Sequence, residues 1–299
     1  MKLLIKIYLF FICLFPWKAQ AYSMLITDEA AFNLPLSYTS YSNYFPFGSL
    51  HKIDNNEGSL ESVFNDAFLD IFPNDKRLLT SKYYPTTSDA VLDLKGGKLD
   101  VYLGAFYQTE DFNGLDFVFP SILNNPVHLL MLPERISEVK QVSDLQNLKG
   151  IYSSQEMFNG PMLKIFSNLN VTPVESVDLA YEKLLTGEVD FIVGSYYYQY
   201  AQIIERGLKD YISFSSSPLW NMPMFIAISP KVENKKDVYE YFRKLAVNER
   251  LTPKILENIK RVIKQKEEQS VGTVPPMYVR QSSDSELTPA DEAEMEAKK

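Results

Sequence analysis

Gly97–Tyr107 reads GKLDVYLGAFY, and Gly187–Tyr197 reads GEVDFIVGSYY. Laid on one another, the two stretches are identical at four of eleven positions, and most of the others are similar in kind. Each follows an amphipathic segment: Ser88–Leu94 before the first, Val177–Leu185 before the second. Each unit therefore reads helix, glycine C-cap, short apolar strand, then a glycine where the strand emerges. Two copies ninety residues apart are too few for a solenoid. They predict two α/β lobes of similar design, each with a strand whose carboxyl end faces a shared crevice, where open α/β sheets hold ligands. Chance likeness between two helix–strand units is the competing explanation.

Outward from this pair, the periodicity predicts a helix over Gly58–Phe72, with Leu60, Val63, Phe64, Ala67, Phe68 and Ile71 on one face. Ser59 is placed to cap it and Pro73 to stop it. Leu34–Leu50 predicts a strand followed by an aromatic loop at Tyr44–Phe47, Arg77–Tyr84 a second strand, and Thr87–Leu94 a second helix ended by Gly96 and Gly97. Leu115–Pro120 and Val127–Leu132 predict two short strands, and Pro161–Leu169 a helix. Ile212–Phe214 and Phe225–Ile228 predict further strands, and Asp237–Ala246 and Pro253–Gln265 the closing helices. From Glu267 apolar residues thin out, so 267–299 is expected to be a flexible acidic tail.

Residues 1–21 have the parts of a cleavable secretory signal: Lys2 and Lys6, an apolar run from Ile7 to Trp17, and Ala19-Gln20-Ala21 before the cut. The run is about a dozen residues, short of the ~20 that span a bilayer. Cys13, the single cysteine, sits inside the run with Ile12 before it, which is not a lipidation site. A chain cut after Ala21 has no cysteine, which excludes disulfides, thiolate metal sites and a cysteine nucleophile. Loss of three lysines and no acid moves the net charge from -8 to -11, a sign repelled by nucleic acid and anionic lipid. With two histidines, His51 and His128, a histidine-rich metal site is excluded as well. The sequence contains no Gly-x-Ser-x-Gly elbow, phosphate loop or His-Glu-x-x-His, so no enzyme activity is expected.

Several ordered segments resemble the extracellular solute-binding protein family 3, the amino-acid-type receptors of ABC importers. They are Tyr44–Phe47, Val91–Gly104, Thr109 with Glu110, Asp116–Pro120, Asp144–Gly150 and Gly187–Gly194. The resemblance covers about Leu34–Ile263. It implies an α/β, two-lobed periplasmic-binding-protein-like type II fold with two crossings between lobes. Lobe one is expected at 22–120 plus 219–266 and lobe two at 121–218. It further implies a soluble periplasmic monomer without cofactor that closes on a solute, with an inner-membrane ABC permease as partner, or a sensor kinase if the fold serves sensing.

Two features of amino-acid recognition in that family are absent from the motifs. Asp111 stands where an arginine grips the α-carboxylate, and Tyr196 follows Gly194-Ser195 where an aspartate holds the α-ammonium. A small polar or aromatic solute other than an ordinary amino acid is therefore expected. The candidate ligand residues are Tyr44, Phe47, Tyr107, Thr109, Ser153, Ser154, Ser195 and Tyr197. Ser153 and Glu156 also fit a capping box, which competes with a ligand role for the serines. Tyr196 and Tyr197 resemble the adjacent tyrosines of ferric-ion receptors, for which Glu57 or His51 would have to supply a further ligand, or they pack inward at a helix start.

Overall fold

The computed structural model describes residues 35–41, 44–51, 59–71, 79–107, 109–139 and 141–270; the expected signal peptide and the tail beyond Ser270 lie outside them. Strand β1 (Leu36–Thr39) runs parallel between β4 (Leu79–Ser81) and β5 (Val101–Phe106). A second parallel set is formed by β7 (Gly150–Ser153) between β8 (Val171–Val174) and β9 (Phe191–Ser195). Between the sets lie β6 (Asp116–Met131) and β11 (Trp220–Ile228), giving one sheet of order β4-β1-β5-β11-β6-β9-β7-β8, with β10 (Ser213–Phe214) pairing β6. Strand β6 pairs antiparallel with β11 from Asp116 to Val127 and with β9 from Val127 to Leu130. These two long strands carry the chain from one half of the sheet to the other.

The repeated unit has the expected build in both halves. Helix α2 (Thr87–Gly96) buries Ala90, Val91 and Leu94, and its N-cap Thr86 accepts from the Asp89 N–H. It stops at Gly97, whose left-handed φ of 80° turns its N–H back onto the Asp93 and Leu94 carbonyls. Helix α4 (Val177–Leu185) buries Val177, Ala180, Tyr181 and Leu184 under an N-cap from Ser176, and Gly187 follows with φ 76°. Strands β5 and β9 come next, each buried along its whole length. The aspartate shared by the two units does the same work in each. Asp100 accepts from the N–H and hydroxyl of Ser37 at the start of β1, both at 2.7 Å. Asp190 accepts from Lys149 N–H at 2.7 Å, just before β7, and from Arg135 at 2.5 Å.

Three segments differ from the sequence-based expectation. Ser59–Ser62 is not the first turn of a helix but strand β3, paired antiparallel with β2 (Gly48–His51), and helix α1 begins only at Val63 and runs to Ile71. Its backbone bonds go to a strand ten or so residues earlier in the chain, which a local 3.6-residue period does not register. The two short strands expected around 115–132 are one 16-residue strand. Its polar, proline-containing middle stays in the ladder because β11 pairs along it, taking up a bulge opposite Phe225. Helix α7 (Leu251–Gln269) extends past the expected start of the tail. Its last turn is tied to the segment Tyr196–Glu205 (helix α5) and beyond by Tyr200 and Lys209 bonding Glu267 and by Lys266 pairing with Glu205.

The remaining helices are α3 (Gly160–Asn168) and α6 (Lys235–Ala246). Buried faces of α1, α6 and α7 meet through Phe64, Phe68, Phe242, Ile255 and Ile259. Each such side chain contributes roughly 2 kcal/mol by leaving water. No helix among the described residues is long and apolar enough to cross a membrane.

Candidate functional site

The carboxyl ends of β1 and β5 in one half, and of β7 and β9 in the other, meet along a seam beside the two crossing strands. The expected crevice is filled there by side chains of the chain itself. The segment after β1 folds into a tight turn, closed by Phe47 N–H donating to the Tyr44 carbonyl at 2.9 Å, and sends the Tyr44 ring across to the other half. That ring is 4% exposed. It stacks on Tyr198 at 4.7 Å and 12° and on Phe47 at 5.7 Å, with the edge of Phe106 at 6.3 Å.

From the second half comes Glu156, a carboxyl group 6% exposed. The chain leaves β7 in a turn in which Glu156 N–H donates to the Ser153 carbonyl at 3.0 Å and Gln155 N–H to Ser153 Oγ at 3.2 Å. Glu156 Oε1 accepts from Ser195 N–H at 3.0 Å and from Gln199 Nε2 at 2.8 Å. Tyr44 OH donates to Oε2 at 2.8 Å, and Ser195 Oγ bonds the same oxygen. The Tyr44 and Ser195 hydroxyls are themselves 2.7 Å apart. Behind them, Tyr181 OH donates to Gln199 Oε1 at 2.5 Å.

Both hydroxyls converge on Oε2, and every group bonded to Glu156 is neutral. Desolvation raises the Glu156 pKa against the four bonds from Ser195, Gln199 and Tyr44 that lower it, so burial favours the protonated form. Desolvation likewise pushes Tyr44, Tyr181 and Tyr198 up, so all three stay neutral phenols.

Glycines of the repeated unit make room for this arrangement. A Cβ at Gly104 would lie 2.4 Å from the Phe64 ring, at a φ of 85°, and one at Gly194 would lie 2.4 Å from Gln199 Cγ. Phe64 in turn stacks on Phe47 at 5.7 Å, so each glycine supports a group that faces the seam.

Of the candidate residues, the structure brings together Tyr44, Phe47, Ser195 and Tyr197, the last edge-on to Phe47 at 6.0 Å. Ser153 is buried one turn behind Glu156 and shapes its loop. Thr109 is buried with its hydroxyl donated to the Phe106 carbonyl at 3.2 Å. Ser154 faces outward and donates to the Glu175 carbonyl, and Tyr107 packs among Phe117, Phe119 and Phe225 at 5.0 to 5.8 Å. The capping box expected at Ser153 and Glu156 does not form: α3 starts at Gly160, with Asn159 accepting from Met162 N–H. Asn159-Gly160-Pro161 is the stronger helix-start signal, and it would have freed Glu156 for another role. Gln199 and Tyr198, on α5, were not among the expected residues.

A carboxyl group does stand beside the β9 strand end, from another loop: Glu156, bonded to the Ser195 N–H. Asp111 is exposed in a turn, where its carbonyl accepts from Lys95. Tyr196 lies against Tyr200, Phe214 and His128, and burial raises the Tyr197 hydroxyl, which disfavours phenolate. Glu57 lies outside the described residues. A separate cavity of about 550 Å³ opens between Val142 and Phe214 near Ser215–Pro218, and no candidate residue lines it.

The architecture can be compared with known proteins on these terms. A described binding component of an ABC transporter from Wolinella succinogenes, complexed with lysine, superposes with a TM-score of 0.57 at 16% identity, over 77% of this chain and 96% of that one. The fold is that of the two-lobed type II periplasmic binding proteins. An amino-acid ABC transporter substrate-binding protein from Streptococcus pneumoniae, bound to L-arginine, gives 0.52 at 13% identity over 79% of this chain and 96% of that one. The GluR0 ligand-binding core with L-glutamate gives 0.51 at 13% identity, over 80% and 99%. No family model and no curated protein matches the sequence.

Proposed function

We propose that this protein is an exported solute-binding receptor. It holds a small polar or aromatic solute between lobes formed by residues 22–120 with 219–266 and by 121–218, and presents the closed form to an inner-membrane ABC permease. The observation that carries this reading is the buried polar cluster at the seam, where Glu156, Ser195 and Gln199 of one half meet Tyr44 of the other. Buried polar groups are costly unless paired, and here the chain's own Tyr44 pairs them across the seam, so a solute that takes its place must bond both sides. Ligand contacts made on both lobes only when closed shift the population toward closure. The solutes named for the similar structures, lysine, arginine and glutamate, support a small charged or polar ligand class here.

Trp220 begins β11 at the crossing and is 39% exposed, and a chain cut after Ala21 contains no other tryptophan. Its fluorescence and the melting temperature, scanned against amino acids, amines, sugars, peptides and ferric ion, are expected to show saturable change and stabilisation with at least one solute. Silence across the whole set would defeat the receptor reading. A second reading, a ligand-sensing or interaction module on the same fold, is favoured by one specific feature: the chain's own Tyr44 bridges the seam. Binding without delivery to any permease would select it.

A further inference from the structure

Tyr44 occupies the seam the way a bound molecule would. Its ring lies between the stacked faces of Tyr198 and Phe47 with the edge of Phe106 beside it. Its tip bonds Glu156 and Ser195 across the boundary between halves. Its surroundings therefore form a slot for one flat ring with a hydrogen-bond donor at the end. They are also better suited to a different donor. With a phenol in place, the buried Glu156 carboxyl is met by four bonding groups that are all neutral, and burial favours its protonated form. An ammonium brings three hydrogens and a positive charge, so it satisfies Oε2 and Ser195 Oγ together while Glu156 ionises.

We propose that Tyr44 is a tethered occupant of the ligand slot, and that the slot's own ligand is a small aromatic amine that displaces the Tyr44 ring and pairs its ammonium with Glu156. This rests on the receptor reading above and adds the ligand class and the internal competitor. Displacement is balanced in protons: the protonated Glu156 gives one proton to solvent as the ammonium–carboxylate pair forms. Affinity for an amine therefore rises as pH rises through the Glu156 pKa. The groups facing Glu156 are Tyr44 from the turn after β1, Tyr181 from α4, and Gln199 and Tyr198 from α5. Arg206 acts on Tyr181 and Tyr198 from the end of that helix. Asp178 acts on the same two tyrosines, and Glu205 on Tyr198. The tyrosines are held above their ordinary values and Arg206 stays charged, so Glu156 is the buried group at the slot whose charge changes as the amine binds.

The test uses the full mature chain and its Tyr44→Gly variant, with benzylamine and p-cresol as probes, read by calorimetry and melting temperature from pH 5 to pH 8. Benzylamine is expected to bind Tyr44→Gly saturably, at least tenfold tighter than wild type, with affinity rising with pH. p-Cresol, which restores the missing phenol, is expected to bind the variant with affinity that falls or stays level as pH rises. A folded variant that binds neither probe overturns the tethered-occupant assignment, and one that binds p-cresol but not benzylamine overturns the amine class. If Tyr44→Gly does not fold, Tyr44→Phe removes only the competing hydroxyl and should bind benzylamine about tenfold tighter than wild type. Equal affinity there overturns the proposal. A wild-type response to some other solute, together with failure of these arms, leaves the receptor reading standing and removes Tyr44 from it.

Discussion

The two copies of the helix–glycine–strand unit share a frame and differ in what they hold at its end. In both, a capped helix ends on a left-handed glycine, an aspartate stitches the strand's start to the neighbouring parallel strand, and a second glycine clears space at the far end. At β5 that space is taken by Phe64, behind a stack of rings that includes Phe47, Tyr44 and Phe106. At β9 it is taken by Gln199, behind a carboxyl cluster. One half offers flat apolar faces, the other hydrogen-bond acceptors and donors. The difference teaches that the frame sets where the two strand ends meet, and the residue admitted by the last glycine sets the chemistry of each side.

The comparison can be broken most severely at Glu156. Glu156→Leu leaves Ser195 N–H, Gln199 and the Tyr44 hydroxyl without an acceptor in a dry seam, and is expected to cost about 3 kcal/mol or more in urea unfolding. Next come the two end glycines. Gly104→Ala meets both a clash with Phe64 and a left-handed backbone, and should cost about 3 kcal/mol. Gly194→Ala has the clash with Gln199 alone, so about 2 kcal/mol is expected. An equal cost would show that backbone conformation does not separate the two copies.

A pH series sharpens the contrast between the carboxylates. The Glu156 pKa is raised above its ordinary 4.5 by burial, so the folded state holds the proton more tightly than the unfolded one. Its contribution is fully present below about 4.5 and is lost as pH rises through the folded value. Glu156→Gln should therefore flatten the fall in stability on that side. Asp190 behaves oppositely. Burial alone would raise it, but Arg135 and the Lys149 N–H hold it below its ordinary 3.8. Its contribution is present above 3.8 and lost as pH falls through the folded value, so Asp190→Asn should change the profile only in acid, with a cost at neutral pH of about 1 kcal/mol. A comparably small effect is expected at one cap glycine and a larger one at the other. Gly187→Ala meets open space and pays only for its left-handed φ, about 1 kcal/mol, whereas Gly97→Ala also presses on Lys231 at 2.9 Å and should cost more.

Much of the frame was legible in the sequence because it is local. Helix period, cap residues and the two glycine signals lie within a dozen residues of one another, and the structure has them where the pattern put them. What was misread depends on distant partners. Ser59–Ser62 carries a helical period yet pairs as a strand with Gly48–His51. Asn124-Asn125-Pro126 has the composition of a turn yet stays in a strand because β11 lies beside it. Glu156 fits a capping box three residues after Ser153, and its real partners are 39 to 112 positions away.

The sequence by itself determined the repeated α/β frame, the strand ends that the frame aligns and the acidic net charge of the chain. Only the tertiary structure decided that Tyr44 crosses the seam and that the buried carboxyl it meets there is Glu156. The reason is range. Propensity and capping are settled between neighbours, whereas desolvation and hydrogen bonding act on whichever groups the fold buries together, and no spacing in the chain records which those are.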